Sequence, residues 1–330
     1  MNLSSPKQEP ILEVRGMTKH FPVGVFYRPR QVHAVEDVSF TVQRGQVVAL
    51  VGESGSGKTT TIRMVARLIP VTHGDILFKG QDILKTEPRA ASPEYRRKVQ
   101  LIFQDPFASL NAVHTIEHHL ARPLIIHKQV SGRQAIHDRV CDLLETVELK
   151  PSAEIANRYP HQLSGGQRQR VAIARALAVD PELILADEPI SMLDVSIRMG
   201  VLNLIDRLKE ERGISFVYIT HDLASARYIG DQIMVMYAGH MVEGGESEAI
   251  IGNAAHPYTQ LLLSAVPDPQ SGLRTDRKTR ARGEVPSLID PPPGCPFAAR
   301  CTQVMDVCRQ SMPGQTFVQA GHWVRCFLFS

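Results

Sequence analysis

No stretch of this chain is apolar for the roughly 18–20 consecutive residues that a membrane-spanning helix needs. The start, Met1 to Pro10, is polar and carries prolines, with none of the short apolar core of a secretory signal. These two absences predict a chain that works in the cytosol and meets a membrane only through another subunit. Charge is not lopsided either: 37 Lys and Arg face 34 Asp and Glu, a formal +3. That balance argues against a nucleic-acid binder acting through bulk positive charge and leaves room only for a local basic patch. Close Cys-x2–4-Cys pairs, the usual mark of a zinc module, are missing as well. What remains is ordinary globular material. At 330 residues with 43% apolar content, the chain can bury a large α/β core and carry a smaller second region.

The most informative stretch is Gly52-Glu53-Ser54-Gly55-Ser56-Gly57-Lys58-Thr59, which fits the phosphate-cradling pattern G-x-x-x-x-G-K-[ST]. A short β-branched run, Val47 to Val51, leads into it as a buried parallel strand would. Ile62, Val65, Ala66 and Ile69 follow at helical spacing, so the loop is predicted to open a helix. Glycines let successive backbone N–H groups turn toward phosphates, and the helix N-terminus adds partial positive charge. Lys58 is placed to reach the β- and γ-phosphates, the Thr59 hydroxyl to ligate Mg²⁺, and Thr60 lies beside them. The expected ligand is a nucleoside triphosphate, with ATP first.

Before this loop, Ile11 to Arg15 and Val38 to Val42 read as strands, and Phe21 to Gln31 as an irregular loop. An aromatic there (Phe21, Phe26 or Tyr27) is a candidate to stack on a base; simple packing serves Phe26 and Tyr27 equally well. After it, Gly74 to Phe78 and Leu101 to Phe103 read as strands, and Gln104-Asp105-Pro106 opens a mostly helical insert with an amphipathic segment at Gln134 to Leu149. His114, His118, His119 and His127 fall in the insert without a ligand signature, which favours solvated or satisfied histidines over a metal site. Leu163-Ser164-Gly165-Gly166-Gln167 then precedes a helix, with Ser164 as its N-cap and the glycines opening its N-terminus as an anion site. A buried run, Leu183 to Ala186, delivers Asp187-Glu188, a carboxylate pair suited to a metal ion and an adjacent base. Ser191 to Asp194 leads into a helix with Ile197, Val201, Leu204 and Leu208 on one face, closed by Lys209, Arg212 and Gly213. Phe216 to Ile219 brings Thr220-His221-Asp222 to a strand end, and Ile233 to Tyr237 gives one more strand.

Taken in order, the Gly52–Thr59 loop, Gln104, Leu163–Gln167, Leu185–Glu188 with Asp194, and His221 resemble the ATP-binding subunit of an ABC transporter. The Leu-Ser-Gly-Gly-Gln run is the most specific part. His256-Pro257-Tyr258-Thr259-Gln260, the prolines near Pro291 and the late cysteines resemble the C-terminal extension of the oligopeptide/dipeptide importer branch, so the likeness covers essentially the whole chain. It implies an α/β P-loop NTPase fold with a mainly parallel core sheet, an antiparallel β subdomain and a helical subdomain near residues 105–165. The ATP-binding domain would take residues 1–253, and a small extension residues 254–330.

The resemblance also implies roles. Phe21 stacks on adenine, with Tyr27 the weaker candidate; Gly52, Glu53, Ser54, Gly55, Ser56, Gly57, Lys58, Thr59 and Thr60 hold phosphates. Asp187, Gln104 and Thr59 hold Mg²⁺, Gln104 also senses the attacking water, Glu188 polarises that water and His221 clamps the γ-phosphate. Ser164, Gly165, Gly166 and Gln167, with Asp194, act across to the ATP of a second subunit, expected to be a related but non-identical ATPase. Two membrane permeases and an extracytoplasmic binding protein complete the expected assembly at the cytoplasmic face of the membrane, with no nucleic acid. Ile190 and Met192 depart from the residues common at those positions of the family without replacing a ligand.

The cargo implied is a di- or oligopeptide; an oligosaccharide or nickel remains an alternative for the same branch. A soluble ABC ATPase of DNA repair or translation is the competing class, but the second cassette, coiled-coil insertions or zinc modules expected there are missing. Cys295, Cys301, Cys308 and Cys326, spaced C-x5-C-x6-C-x17-C, make up the last candidate site. In a reducing compartment they are expected as thiols, whereas Cys141 reads as a packed, inert one. Four thiolates at long spacings suit a 4Fe–4S cluster, and the resemblance points the same way; zinc and free thiols stay open beside it.

Overall fold

The structure is a computed structural model that describes residues 9–24, 30–265, 286–291 and 293–330. Its strands in chain order are β1 (Leu12–Val23), β2 (Arg30–Val42), β3 (Val47–Val51), β4 (His73–Phe78), β5 (Gln81–Asp82) and β6 (Val99–Ile102). They continue with β7 (Leu183–Asp187), β8 (Ser215–Thr220), β9 (Gln232–Tyr237), β10 (His240–Glu246), β11 (Thr316–Gln319) and β12 (His322–Val324). The chain divides into two compact units, one of Met1–Ile11, Val42–Gln46 and Ile83–Ile219, the other of Leu12–Thr41, Val47–Asp82 and Thr220–Ser330.

In the first unit, β6, β7 and β8 form a parallel set, with Val99 opposite Leu183 and Leu183 opposite Ser215. Every residue of β7 and β8 is buried, which explains why these segments read as continuous apolar runs and do not alternate. The insert is helical as expected: Pro106–Ser109, Ile116–Ile126, Arg133–Thr146 and Ser152–Ala156. Leu120 and Leu124 of one long helix and Val140, Leu143 and Leu144 of the next are buried, the apolar stripe that the spacing predicts. Thr115 starts the first of these helices by accepting a hydrogen bond from the His118 N–H.

The second unit holds two sheets. One has the order β2-β1-β4-β5, with β1 antiparallel to β4 and β4 antiparallel to β5. In the other, β3 runs parallel to β9, and β9, β10, β12 and β11 continue antiparallel. The C-terminal residues thus add strands to the edge of the sheet that carries the phosphate loop.

Two local expectations fail. Strand β1 continues through Phe21 to Val23, where the sequence predicts an irregular loop; Pro22 near a strand end is compatible with extended backbone. Phe26 and Tyr27 lie outside the described residues. The helix after the phosphate loop covers Lys58–Val65 only, because Arg67 turns to a φ of +57°, so Ile69 is not on it. Strands β10, β11 and β12 carry too weak an alternation to be read in advance. Among the described residues no helix is long and apolar enough to cross a membrane.

Candidate nucleotide site

The phosphate loop leaves β3 at Val51 and is shaped by crowding. A Cβ on Gly52 would stand 2.1 Å from the Met236 carbonyl oxygen, and one on Gly57, at φ +101°, 2.5 Å from that of Ala34. Only glycine lets the backbone pass there. Lys58 is buried, and its ammonium donates to the carbonyls of Gly52 at 2.7 Å and Glu53 at 2.8 Å and to Ser56 Oγ at 3.2 Å. The cation is thereby held at the mouth of the loop. Gly57 caps the following helix without a side chain over its first turn, the geometry that receives phosphate oxygens. Phe21 is half-buried at the end of β1, with Lys19 Nζ 4.9 Å from its ring centroid. His221 is exposed immediately after β8, and Asp222 beside it caps the helix Leu223–Ile229 by accepting from Ala224 and Ser225.

In the first unit, Asp187 ends β7 and is buried, while Glu188 adopts a φ of +44°. A non-glycine residue in that region stores strain and is held there by its surroundings. Its backbone is held on both sides: the Glu188 N–H donates to the Ile219 carbonyl at 3.1 Å, and the Ser191 N–H and Oγ donate to the Glu188 carbonyl at 3.2 and 3.0 Å. The twist turns the carboxylate toward Gln104, whose Nε2 donates to Glu188 Oε2 at 3.3 Å. The structure therefore joins the predicted base to the predicted water-sensing amide, 84 residues away in sequence.

Ser164 caps the helix Gly165–Leu177 by a reciprocal box: its Oγ accepts from the Gln167 N–H at 3.3 Å, and Gln167 Oε1 accepts from the Ser164 N–H at 3.0 Å. A Cβ on Gly166 would meet Ile197 Cγ2 at 2.5 Å, so this glycine is needed for the closeness of the helix Val195–Arg212. Asp194 is the exposed N-cap residue of that helix, Ile190 is buried and Met192 exposed.

The four late cysteines line one pocket together with His256, Phe297, Phe327 and Leu328, and all are free thiols. Burial pushes the Cys295 thiol up to about 11 and raises those of Cys301 and Cys326. Cys141 is half-buried, its pKa also raised by burial, as a packed thiol's should be. Among the described residues, the trio with ligand-type atoms all within 4.8 Å of one another is His20, His33 and Glu36, and the four thiols do not form such a group. In that trio both imidazoles spend a ring nitrogen on Glu36 Oε2, at 2.7 and 3.1 Å, which accounts for it as a hydrogen-bonded brace between β1 and β2. His114 and His118 stack with centroids 4.0 Å apart and are not part of any such group.

Sequence reasoning missed one set of contacts on the phosphate loop. The Glu53 N–H donates to Tyr258 Oη at 2.8 Å, and its carboxylate takes both prongs of Arg300, at 2.7 and 3.0 Å. Partners 205 and 247 residues away leave no local signal.

A family model described as ABC transporter matches residues 35–191. The Escherichia coli dipeptide transport ATP-binding protein DppF is 44% identical over 322 residues, covering 97% of this chain and 95% of that protein. The chain belongs to the ABC transporter family. A second model, oligopeptide/dipeptide transporter C-terminal region, matches residues 242–308 and puts this ABC protein in that branch. Haemophilus influenzae DppF is 43% identical over 96% of each chain, and the Bacillus subtilis oligopeptide transport ATP-binding protein AppF is 43% identical over 99% of this chain and all of that one. Among solved structures, the dimeric ATP-binding cassette MJ0796 in a post-hydrolysis state bound to ADP and Pi superposes with a TM-score of 0.62 at 29% identity, covering 72% of this chain and 98% of that one. This ABC protein is an ATP hydrolase whose activity is coupled to transport.

Proposed function

We propose that the chain is the ATPase subunit that energises uptake of di- or oligopeptides through a membrane ABC transporter. The hydrogen bond from Gln104 to Glu188, beside buried Asp187, carries the catalytic part of this reading. Match of residues 242–308 to the oligopeptide/dipeptide C-terminal region supports the cargo class.

Phosphoryl transfer to water needs positioning and charge stabilisation more than covalent chemistry. Lys58 and the amides of Gly52 to Thr60 hold the phosphates, and Phe21 takes the adenine face. Glu188 orients and polarises the attacking water, with Gln104 fixing that carboxylate. His221 contacts the γ-phosphate. Thr59, Gln104 and Asp187 offer hydroxyl, amide and carboxylate oxygens, a hard donor set that fits Mg²⁺; bound there, the ion would neutralise phosphate charge. Ser164, Gly165, Gly166 and Gln167, with Asp194, serve the ATP of a second, related ATPase. Hydrolysis then depends on closure of the pair, which two permeases convert into transport of cargo delivered by a binding protein.

The division at residues 253/254 separates this ATPase core from the cysteine-bearing extension. For the extension, the donor set of four thiols on one pocket fits a 4Fe–4S cluster. Cys295, Cys301, Cys308 and Cys326 would hold the cluster, whose chemistry here is structural cross-linking. The subunit lies peripherally at the cytoplasmic face of the membrane.

The deciding experiment reconstitutes the chain with the permeases and binding protein in vesicles and follows labelled dipeptide uptake. Uptake that needs ATP and fails with Lys58→Ala is expected. ATP turnover stimulated by an oligosaccharide or nickel and not by peptides would move the cargo and leave the ATPase role intact.

A further inference from the structure

Glu53 puts a carboxylate in a loop whose work is to bind a polyanion. Left alone, that charge opposes the phosphates. Arg300 meets it with a two-pronged ion pair at 2.7 and 3.0 Å, and also donates to Tyr237 Oη at 3.3 Å. Its guanidinium is 8% exposed against 31% for the Glu53 carboxylate, and it stands 5.6 Å from the Tyr237 ring centroid and 5.8 Å from that of Phe297. Tyr237, Tyr258 and Phe297 pack on one another with centroids 4.5 to 5.5 Å apart. Aromatic walls keep water off the pair and fix the arginine. The Tyr258 hydroxyl meanwhile takes the Glu53 N–H at 2.8 Å, so side chain and backbone of this residue are both held from the C-terminal extension.

Arg300 is itself set by a tight turn. Its N–H and that of Cys301 both donate to the Phe297 carbonyl, at 2.9 and 3.0 Å, and the Ala298 N–H donates to the Cys295 carbonyl at 3.0 Å. One turn therefore presents two of the four thiols and the arginine, and whatever orders those thiols orders Arg300.

We propose that Arg300 is a positioning residue for nucleotide binding: it cancels the Glu53 charge and locks the phosphate loop, making ATP affinity depend on the C-terminal extension. The proposal rests on the reading of the chain as an ATPase. It differs from simple structural support in its sign. If the role is charge cancellation, removing both charges is better than removing the arginine alone.

Equilibrium binding of a fluorescent ATP analogue to the full-length chain tests this. Arg300→Met weakens binding about tenfold, the order expected of one uncompensated charge near a partly buried polyanion. Glu53→Gln removes the charge while keeping the backbone amide, so its affinity, whatever its value, is the reference for an uncharged loop; the double variant Glu53→Gln/Arg300→Met matches that reference and binds more tightly than Arg300→Met alone. Arg300→Lys keeps the charge and stays within about threefold despite losing the fork geometry. Arg300→Gln replaces Arg300→Met if the latter does not fold. In steady-state turnover the loss appears in KM for ATP, with kcat held within about twofold, because Gln104, Asp187 and Glu188 are untouched. Unchanged affinity in Arg300→Met, or a double variant as weak as the single one, overturns the proposal and leaves the ATPase reading standing. A parent chain that binds no ATP overturns both.

Discussion

Glu243 and His322, 79 residues apart, meet at 2.7 Å with both side chains wholly buried. The Glu243 carboxylate also accepts the Ala255 N–H at 2.6 Å and the His256 N–H at 3.0 Å. One side chain of β10 thus fastens the entry to the extension and strand β12. Removing it leaves several buried donors without an acceptor, at about 1–3 kcal/mol each. Glu243→Ala is expected to destabilise the chain by roughly 3 kcal/mol or more, read as a lowered melting temperature and early proteolysis after residue 254. Unaltered proteolysis of the extension would remove Glu243 from this role.

The carboxylate of Glu188 has one assigned task, on the attacking water. Glu188→Gln is expected to keep ATP affinity within about twofold and to cut turnover by about 100-fold or more, the usual range for loss of a positioned base. Because the amide can still accept from Gln104 Nε2, the fold at the end of β7 is retained. Turnover near that of the parent in the assembled transporter would take Glu188 out of the base role.

Ser164→Ala separates cap from catalysis. Loss of the cap costs about 1 kcal/mol of stability, while the chain's own ATP binding stays intact and hydrolysis in the ATPase pair falls. Abolished ATP binding by the isolated chain would instead place Ser164 on its own nucleotide.

A half-buried histidine, His240, and a buried one, His256, give a sign to the pH dependence of stability. Burial lowers His240 to about 4 and His256 to about 3; the neutral His256 Nδ1 accepts the Tyr258 N–H at 3.0 Å. Below an unfolded value of about 6.5 the unfolded chain takes protons that the folded chain refuses. Stability therefore falls as pH drops from about 6.5 toward the folded values, by about 2 kcal/mol per histidine between pH 7 and 5. His256→Asn, which keeps an acceptor and does not titrate, should flatten the slope of melting temperature against pH. An unchanged slope would assign the acid sensitivity elsewhere.

Anaerobic purification with iron and sulfide analysis addresses the four thiols. About four irons per chain are expected for a 4Fe–4S centre, falling in Cys301→Ser. Stoichiometric zinc without iron would replace that assignment.

The phosphate loop, the Leu163–Gln167 run and the Asp187-Glu188 pair were legible in the sequence, because each is a contiguous backbone device whose residue types follow from its local geometry. The buried strands β3, β7 and β8 were legible for the same reason, their apolar runs matching burial on both faces. Tertiary structure alone decided which residues work together over distance. It set Glu188 at its strained φ against Ile219 and Gln104, gathered Cys308 and Cys326 beside the Cys295–Cys301 turn, and brought Arg300 across 247 residues to Glu53. It also extended β1 into the start of the expected loop, as far as Val23, and built β10 to β12 from weakly patterned segments. Such contacts arise from packing, where the partner and not the neighbouring residues supplies the energy, so no local periodicity records them.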